Sequence, residues 1–550
     1  MRRVITILIM ILLSTVVAQG QSSASQGVSI KIGGNVYGGG NKGKVKGNTR
    51  VTVKAGDIGA TDKPDNERPL AEPRGRVFGG ASLADVGGNT FVNLDGEHAT
   101  GYMVINQVYG GNDVAGTIGT GETVPTELTE VKKTDADATD PKKNAIDNTW
   151  NSFVRISTKA TDAEKTYIGQ LFGGGNGDFD YVTSDPVDGK VTHTVYNRGD
   201  RTTPLAEMQT KEGEPGFTKP ELGKTYLEVV GGSIVYAYGG GNNATVTNQT
   251  VIHVDNPSTV VNHIFVKDDG TEDKAATESS HEGATDLLSN VRFKEMGSNL
   301  SFSKPSSDEF QIGRLFGGNN KAEMAIRPTW NLQSGKIRNL YSGGNQGDMT
   351  SPEGLLLEIN PVATNTNPLI IDYVYGGCRM ADVRPTLNGI ITTVANLPGD
   401  FFPSGLSART LIRGGDINNV FGGNDVTGKV YGGNAVGIYA SIRGDVYGGG
   451  NGAYPYTDNW DLKDNPVYSD LYYGARGETK TSFDSPALSL DALNAYRPNA
   501  EQVSIRIAGK YTKNDDGTVA SSTPTIIGGA VYCGGNCATL VPSKIGRAHV

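Results

Sequence analysis

Val36-Tyr37-Gly38-Gly39-Gly40-Asn41 recurs as Val446-Tyr447-Gly448-Gly449-Gly450-Asn451. Shorter or altered copies centre on Phe78, Tyr109, Phe172, Tyr238, Phe316, Tyr341, Tyr375, Phe421, Tyr431 and Tyr532. Repetition on this scale sets the architecture before any single motif is weighed. Around Tyr238 the fuller unit is visible. Leu227 to Val230 reads as a strand, Gly231-Gly232 as a turn and Ile234 to Tyr238 as a second strand. Gly239 to Asn242 is a second turn, and Thr245 to Val254 a third extended run. The same order recurs at Leu411 to Gly423 and around Gly335 to Tyr341.

Short β-branched and aromatic runs bounded by glycine are strand signals. A helix would lose about 1 kcal/mol at each interior glycine. The expected fold is all-β, a right-handed parallel β-helix or solenoid with inserted loops, the hand following from the crossover rule. A β-sandwich array is the alternative, because the marker spacing is irregular. Phe421 and Tyr431 are ten residues apart, too few for a full unit, which puts Val430-Tyr431 on a second face of one unit. Polar insertions are expected at 116–148, 180–223, 256–309 and 453–502, with a short helix over 487–496. Stacked asparagines after the glycines are placed to bond from one unit to the next.

Residues 1–20 read as a secretory signal: Arg2-Arg3, an apolar Val4–Leu13 run and small residues before Gln21. The run is short of the ~20 residues of a membrane span, so no span is expected after its removal. Residues 21–544 form the repeat region. Residues 545–550 resemble the translation of a common sequencing adapter, which implies a truncated chain. Glycine, 76 of 550 residues, is about double its usual ~7% share, without the three-residue period of collagen. The formal charge of -9, with no basic patch, argues against a nucleic-acid partner.

These features resemble secreted, glycine-rich, β-helical adhesin-like proteins of Gram-negative bacteria. The likeness is of repeat style and spans about Ile30 to Val541. It implies an exported surface or secreted protein with a binding or structural role, its partner an extracellular glycan or a host or matrix protein.

Adjacent residues of a strand face opposite sides. If valine faces the core, Tyr37, Tyr109, Tyr375 and Tyr447 form an outward row able to stack on sugar rings. The competing reading buries them at a corner beneath the next unit. Cys533 and Cys537 bracket one turn, either as a disulfide, which export permits, or as packed thiols. No cofactor or metal is expected. Ca²⁺ is the one candidate, at Gly174 to Asp180 and Gly343 to Asp348, but both depart from the tandem β-roll nonapeptide. Asp113 and Asp425 follow repeat turns and suit Asx-turns. Polysaccharide hydrolysis or elimination is the alternative function. The Gly-His-Gly, Asn-Thr-Asp and Arg-Ile-Lys signatures of β-helical hydrolases are absent, so no catalytic residue is assigned and the expectation is a non-enzyme.

Overall fold

The computed structural model describes residues 30–58, 75–98, 103–119, 150–158, 166–256, 311–362, 367–395, 402–454, 456, 496–513, 519–540 and 547–549. The expected signal segment, most of the 116–148, 256–309 and 453–502 insertions, and nearly all of the 487–496 helix lie outside these residues.

The described elements are all strands. Each repeat contributes up to three extended runs. The first carries the aromatic residue and pairs in parallel with its counterparts in neighbouring repeats. In successive pairs Tyr37 stands opposite Phe78, Phe78 opposite Tyr109, and Tyr109 opposite Phe172. The series continues through Tyr238, Phe316, Tyr341, Tyr375, Phe421 and Tyr447 to Tyr532. These strands are part of an 18-stranded sheet that also takes in the second-run strands from Thr49–Val53 to Thr245–Asp255. A second run pairs Thr49–Val53, Thr90–Gly96, Ser152–Thr158, Glu221–Val230, Thr245–Asp255 and the start of Thr329–Tyr341. Later repeats place Leu355–Ile359, Ala408–Ile412, Asn434–Ile438, Val503–Ile507 and Arg547–His549 in a five-stranded parallel sheet. The third run is short: single bridges such as Val45–Val86 and Met349–Val383, then Lys429–Val430 beside Asn499–Ala500.

Glu221–Val230, Ser233–Tyr238 and Thr245–Asp255 are extended where expected around Tyr238, but the first and last pair in register, so they are the same run of successive repeats rather than two runs of one unit. Val430 sits in a different sheet from Phe421, as the ten-residue spacing requires. A β-sandwich array is not what forms. Sandwich sheets are antiparallel, and here the long ladders are parallel.

Among the described residues, antiparallel pairing is confined to small appendages. The 180–223 insertion, read as polar loop, is instead a three-stranded antiparallel sheet of Phe179–Thr183, Lys190–Asn197 and Pro204–Lys211. Asp188 and Gly189 both take positive φ between Val187 and Lys190, the two-residue turn that matches strand twist. Asn388-Gly389 makes a similar turn between Thr386–Leu387 and Ile390–Ile391.

The valines before the aromatics enter one elongated apolar core with Ile105, Ile168, Leu227, Ile252 and Ile371. Adjacent aromatics point the other way and form a core of their own. Burial on both faces is the normal condition of parallel sheets. Among the described residues, no helix is long and apolar enough to cross a membrane.

Candidate functional site

The aromatic positions form a continuous stack from Tyr37 to Tyr532. Ring centroids lie 4.6 to 5.1 Å apart, and neighbouring planes are within 10°. In-register parallel pairing imposes that spacing, since strands lie ~4.8 Å apart. Of the four tyrosines considered for sugar stacking, Tyr109 and Tyr375 are fully buried, and Tyr37 and Tyr447 are half-buried. Each interior ring has both faces covered by its neighbours. An outward row for sugar stacking is therefore corrected: Tyr109 and Tyr375 offer no face to a ligand.

The glycines follow from the same stacking. A Cβ on Gly79 would lie 2.4 Å from the Gly110 carbonyl, and one on Gly173 2.3 Å from the Gly239 carbonyl. Hydroxyls from the second run brace these turns. Thr90 Oγ1 donates to the Gly110 carbonyl at 2.6 Å, and Ser152 Oγ to the Gly173 carbonyl at 2.7 Å.

Four residues after each aromatic lies a polar row. Asn345 Nδ2 donates to Asn320 (2.8 Å), Asn320 to Asn242 (2.9 Å), Asn242 to Asn176 (2.8 Å) and Asn176 to Asp113 (2.8 Å). Arg379 Nη1 starts this series by donating to Asn345 Oδ1 at 3.2 Å. A shorter series runs from Asn536 to Asn451 (3.1 Å) and on to Asp425 (2.9 Å). An amide relays because it both donates and accepts. Arginine only donates and carboxylate only accepts, so Arg379 begins one series and Asp113 and Asp425 close the two.

These aspartates sit in identical sequence, Gly110-Gly111-Asn112-Asp113-Val114 and Gly422-Gly423-Asn424-Asp425-Val426, and in matching surroundings. Asn112 Oδ1 accepts from the Ala81 amide, and Asn424 Oδ1 from the Cys378 amide, both at 2.8 Å. Asp113 accepts from the Tyr37 hydroxyl (2.8 Å) and Asp425 from that of Tyr341 (2.7 Å), each two repeats back. The carbonyls of Val114 and Val426 accept from the hydroxyls of Tyr181 and Tyr456, each five residues after the next repeat's asparagine. Tyr454 also donates to Asp425 at 2.9 Å. These tyrosines tie the segments leaving the stack down onto it.

Burial raises the Asp113 carboxyl above its usual range, against the Arg76 guanidinium 3.9 Å away and the bonds from Asn176 and Tyr37. Burial also raises the Tyr341 hydroxyl, and neighbouring Asp425 adds to it. Asp113 and Asp425 are almost wholly shielded from solvent, so they hold structure rather than meet substrate. A raised folded pKa means the folded state binds more protons between its value and the unfolded ~3.9. Stability then falls as pH rises through that window. Asp113→Asn is expected to remove this slope while keeping an acceptor for Asn176. Asp113→Ala should leave the Asn176 amide unpaired and be the less stable of the two by about 1–3 kcal/mol. Urea denaturation of both variants across pH 4 to 8 (roughly the unfolded carboxylate value upward) checks this.

The two Ca²⁺ candidates have their carboxylates engaged. Asp178 pairs with Arg198 (2.6 Å) and Lys321 (2.7 Å). Burial opposes its ionisation, yet Lys321 and Arg198 hold it below its usual value. Asp348 pairs with Arg384 at 3.0 Å. Among the described residues Asp95, Glu97 and His98 bring ligand atoms together, with His98 Nδ1 2.8 Å from Asp95 Oδ1. No disulfide joins Cys533 and Cys537, of which the first is exposed and the second half-buried; Cys378 is buried.

The second face carries a row that was not singled out from sequence. Phe91, Phe153 and Tyr226 stack at 5.0 and 5.4 Å. Arg50 lies 5.1 Å from the Phe91 ring centre, and Trp150 meets Tyr226 edge-on. Beside it run Asn93, Arg155, Glu228, His253 and Asn331, in register. Arg155 Nε is 3.1 Å from Glu228, and Asn331 Nδ2 2.7 Å from His253 Nδ1. The signal was alternation, as in Thr49-Arg50-Val51-Thr52-Val53, buried at every second residue.

No family model, no curated protein and no solved structure matches this chain.

Proposed function

We propose that this chain is an exported, non-enzymatic scaffold of the cell surface or extracellular matrix. Its repeats wind as a right-handed parallel β-helix, and its inserted segments meet an extracellular glycan or matrix protein. One observation carries this reading: the recurring phrase is consumed in holding the stack. Valine fills the core, the aromatic stacks, glycine admits the neighbouring carbonyl, and asparagine relays the amide series. Residues kept for stacking build a long support, and function then falls to what projects from it. The Phe179–Lys211 sheet projects this way, with an exposed tip from Thr183 to Lys190.

The test incubates the exported chain with soluble and insoluble polysaccharides and scores two things in the same tubes. Retention of protein without new reducing or unsaturated sugar ends is expected. New sugar ends would overturn the non-enzymatic reading and direct attention to carboxylates of the inserted segments.

A further inference from the structure

Three asparagines are followed directly by glycine: Asn176-Gly177, Asn388-Gly389 and Asn451-Gly452. In such a pair the glycine nitrogen can attack the asparagine side-chain carbonyl. The two groups are already tethered in reach of each other, and glycine has no Cβ to hinder the approach. The amide proton goes to solvent base, and a bond forms from nitrogen to Cγ. The Cγ–Nδ2 bond breaks and ammonia leaves. Water then opens the cyclic imide on either side, giving aspartate or its β-linked isomer.

The two pairs inside the stack are held at both reacting groups. Asn176 and Asn451 are buried. The leaving amide of Asn176 donates to Asp113 Oδ1 at 2.8 Å, and that of Asn451 to Asp425 Oδ1 at 2.9 Å. The nucleophiles are held as well. Gly177 N–H donates to the Asp113 carbonyl and Gly452 N–H to the Asp425 carbonyl, both at 2.8 Å. Freeing either pair means opening the stack, and core elements open at a cost near that of global unfolding.

Asn388-Gly389 is the reverse case. Both residues are exposed, and a Cβ on Gly389 would meet nothing within 4 Å. They turn a hairpin held by two residue pairs, Thr386–Ile391 and Leu387–Ile390. A two-stranded hairpin is marginal in water, and exposed segments open locally at small cost. Its base is fixed separately: Thr386 N–H donates to the Thr350 carbonyl at 3.0 Å, and Thr392 N–H to the Pro385 carbonyl at 2.9 Å. The turn therefore opens while its base stays on the stack.

We propose that Asn388 is a site of spontaneous deamidation in the folded protein, and that the amide series protects Asn176 and Asn451. The product puts a negative charge beside exposed Leu387, Ile390 and Ile391. The β-linked isomer also lengthens the backbone of a turn whose fit to its strands depends on its length. The hairpin records the age of a copy, and the stack keeps its shape.

The experiment holds the exported full chain at mildly alkaline pH, either folded in buffer or unfolded in guanidinium chloride, and digests samples over time. Mass spectrometry scores each Asn-Gly peptide for the amide-to-acid mass increase, and a β-aspartyl methyltransferase labels the isomer. In the folded chain Asn388 should convert faster than the other two by about tenfold or more, a gap that needs only ~1.4 kcal/mol of extra opening cost. In denaturant all three should convert at similar rates. Asn388→Gln, whose longer side chain closes a ring far more slowly, should lose the folded-state signal and keep the melting curve. Folded protein in which Asn388 lasts as long as Asn176, or in which Asn176 and Asn451 convert alongside it, would overturn the proposal. So would Asn176 and Asn451 that stay inert in denaturant, since their protection would not come from the stack.

Discussion

Phe172→Ala should destabilise the fold by about 3–5 kcal/mol, the usual cost of truncating a buried phenylalanine. Phe172 is fully buried, and its ring stacks on Tyr109 and Tyr238, both at 4.6 Å. Each stacked pair adds roughly 0.5–1.5 kcal/mol beyond burial, and the substitution removes two. In a linear array each repeat is supported by its neighbours. A break in the middle should therefore divide one melting transition into two. Calorimetry of the variant against Tyr532→Ala checks this, because Tyr532 is half exposed and, among the described residues, stacks on Tyr447 alone. The terminal variant should keep a single transition and lose much less. Equal losses at both positions would mean that the rings do not hold the stack.

Gly173→Ala should cost about 3 kcal/mol or more, at the upper end for an added methyl group. The new Cβ would lie 2.3 Å from the Gly239 carbonyl oxygen, which is backbone in the neighbouring strand. That oxygen cannot rotate away as a flexible side chain could, so the strands must separate. Gly534→Ala is the matched control. It adds the same methyl group at the last repeat, where nothing lies within 4 Å, and should be neutral within about 0.5 kcal/mol. Urea midpoints of the two variants measure the difference. If Gly173→Ala is as stable as the control, the close approach of the strands is wrong.

Much of this arrangement was legible in the residues. Glycine after each aromatic, with β-branched runs between, marked the extended runs, and those around Tyr238 lie where expected, although Glu221–Val230 and Thr245–Asp255 are the same run of successive repeats and not two runs of one unit. The 85-residue gap from Tyr447 to Tyr532 read as an insertion, and the two rings are direct neighbours at 4.8 Å. The fate of the aromatics was less legible. Opposite facing of Val108 and Tyr109 follows from strand geometry. Alternation alone does not say that both sides are covered, because a parallel sheet buried on both faces hides the difference.

The paired aspartates show a second limit. Gly110–Val114 and Gly422–Val426 are the same five residues, but one aspartate after a turn reads as an Asx-turn. Only the amide series ending on each reveals a carboxylate needed as terminal acceptor. Asp188-Gly189, between strand-forming residues, was a usable hairpin signal. The surrounding polar composition outweighed it, and the segment read as loop.

The most direct test of the stacked-repeat account is a distance along the stack. Spin labels would be placed on Asn41→Cys and on native Cys533, with Cys537→Ser and buried Cys378 left silent, at a dilution where single copies prevail. Ten steps separate the first ring from the last, and at ~4.8 Å each the account predicts a narrow distribution near 50 Å. A broad distribution, or a peak below about 30 Å (six steps or fewer at that rise), would contradict it.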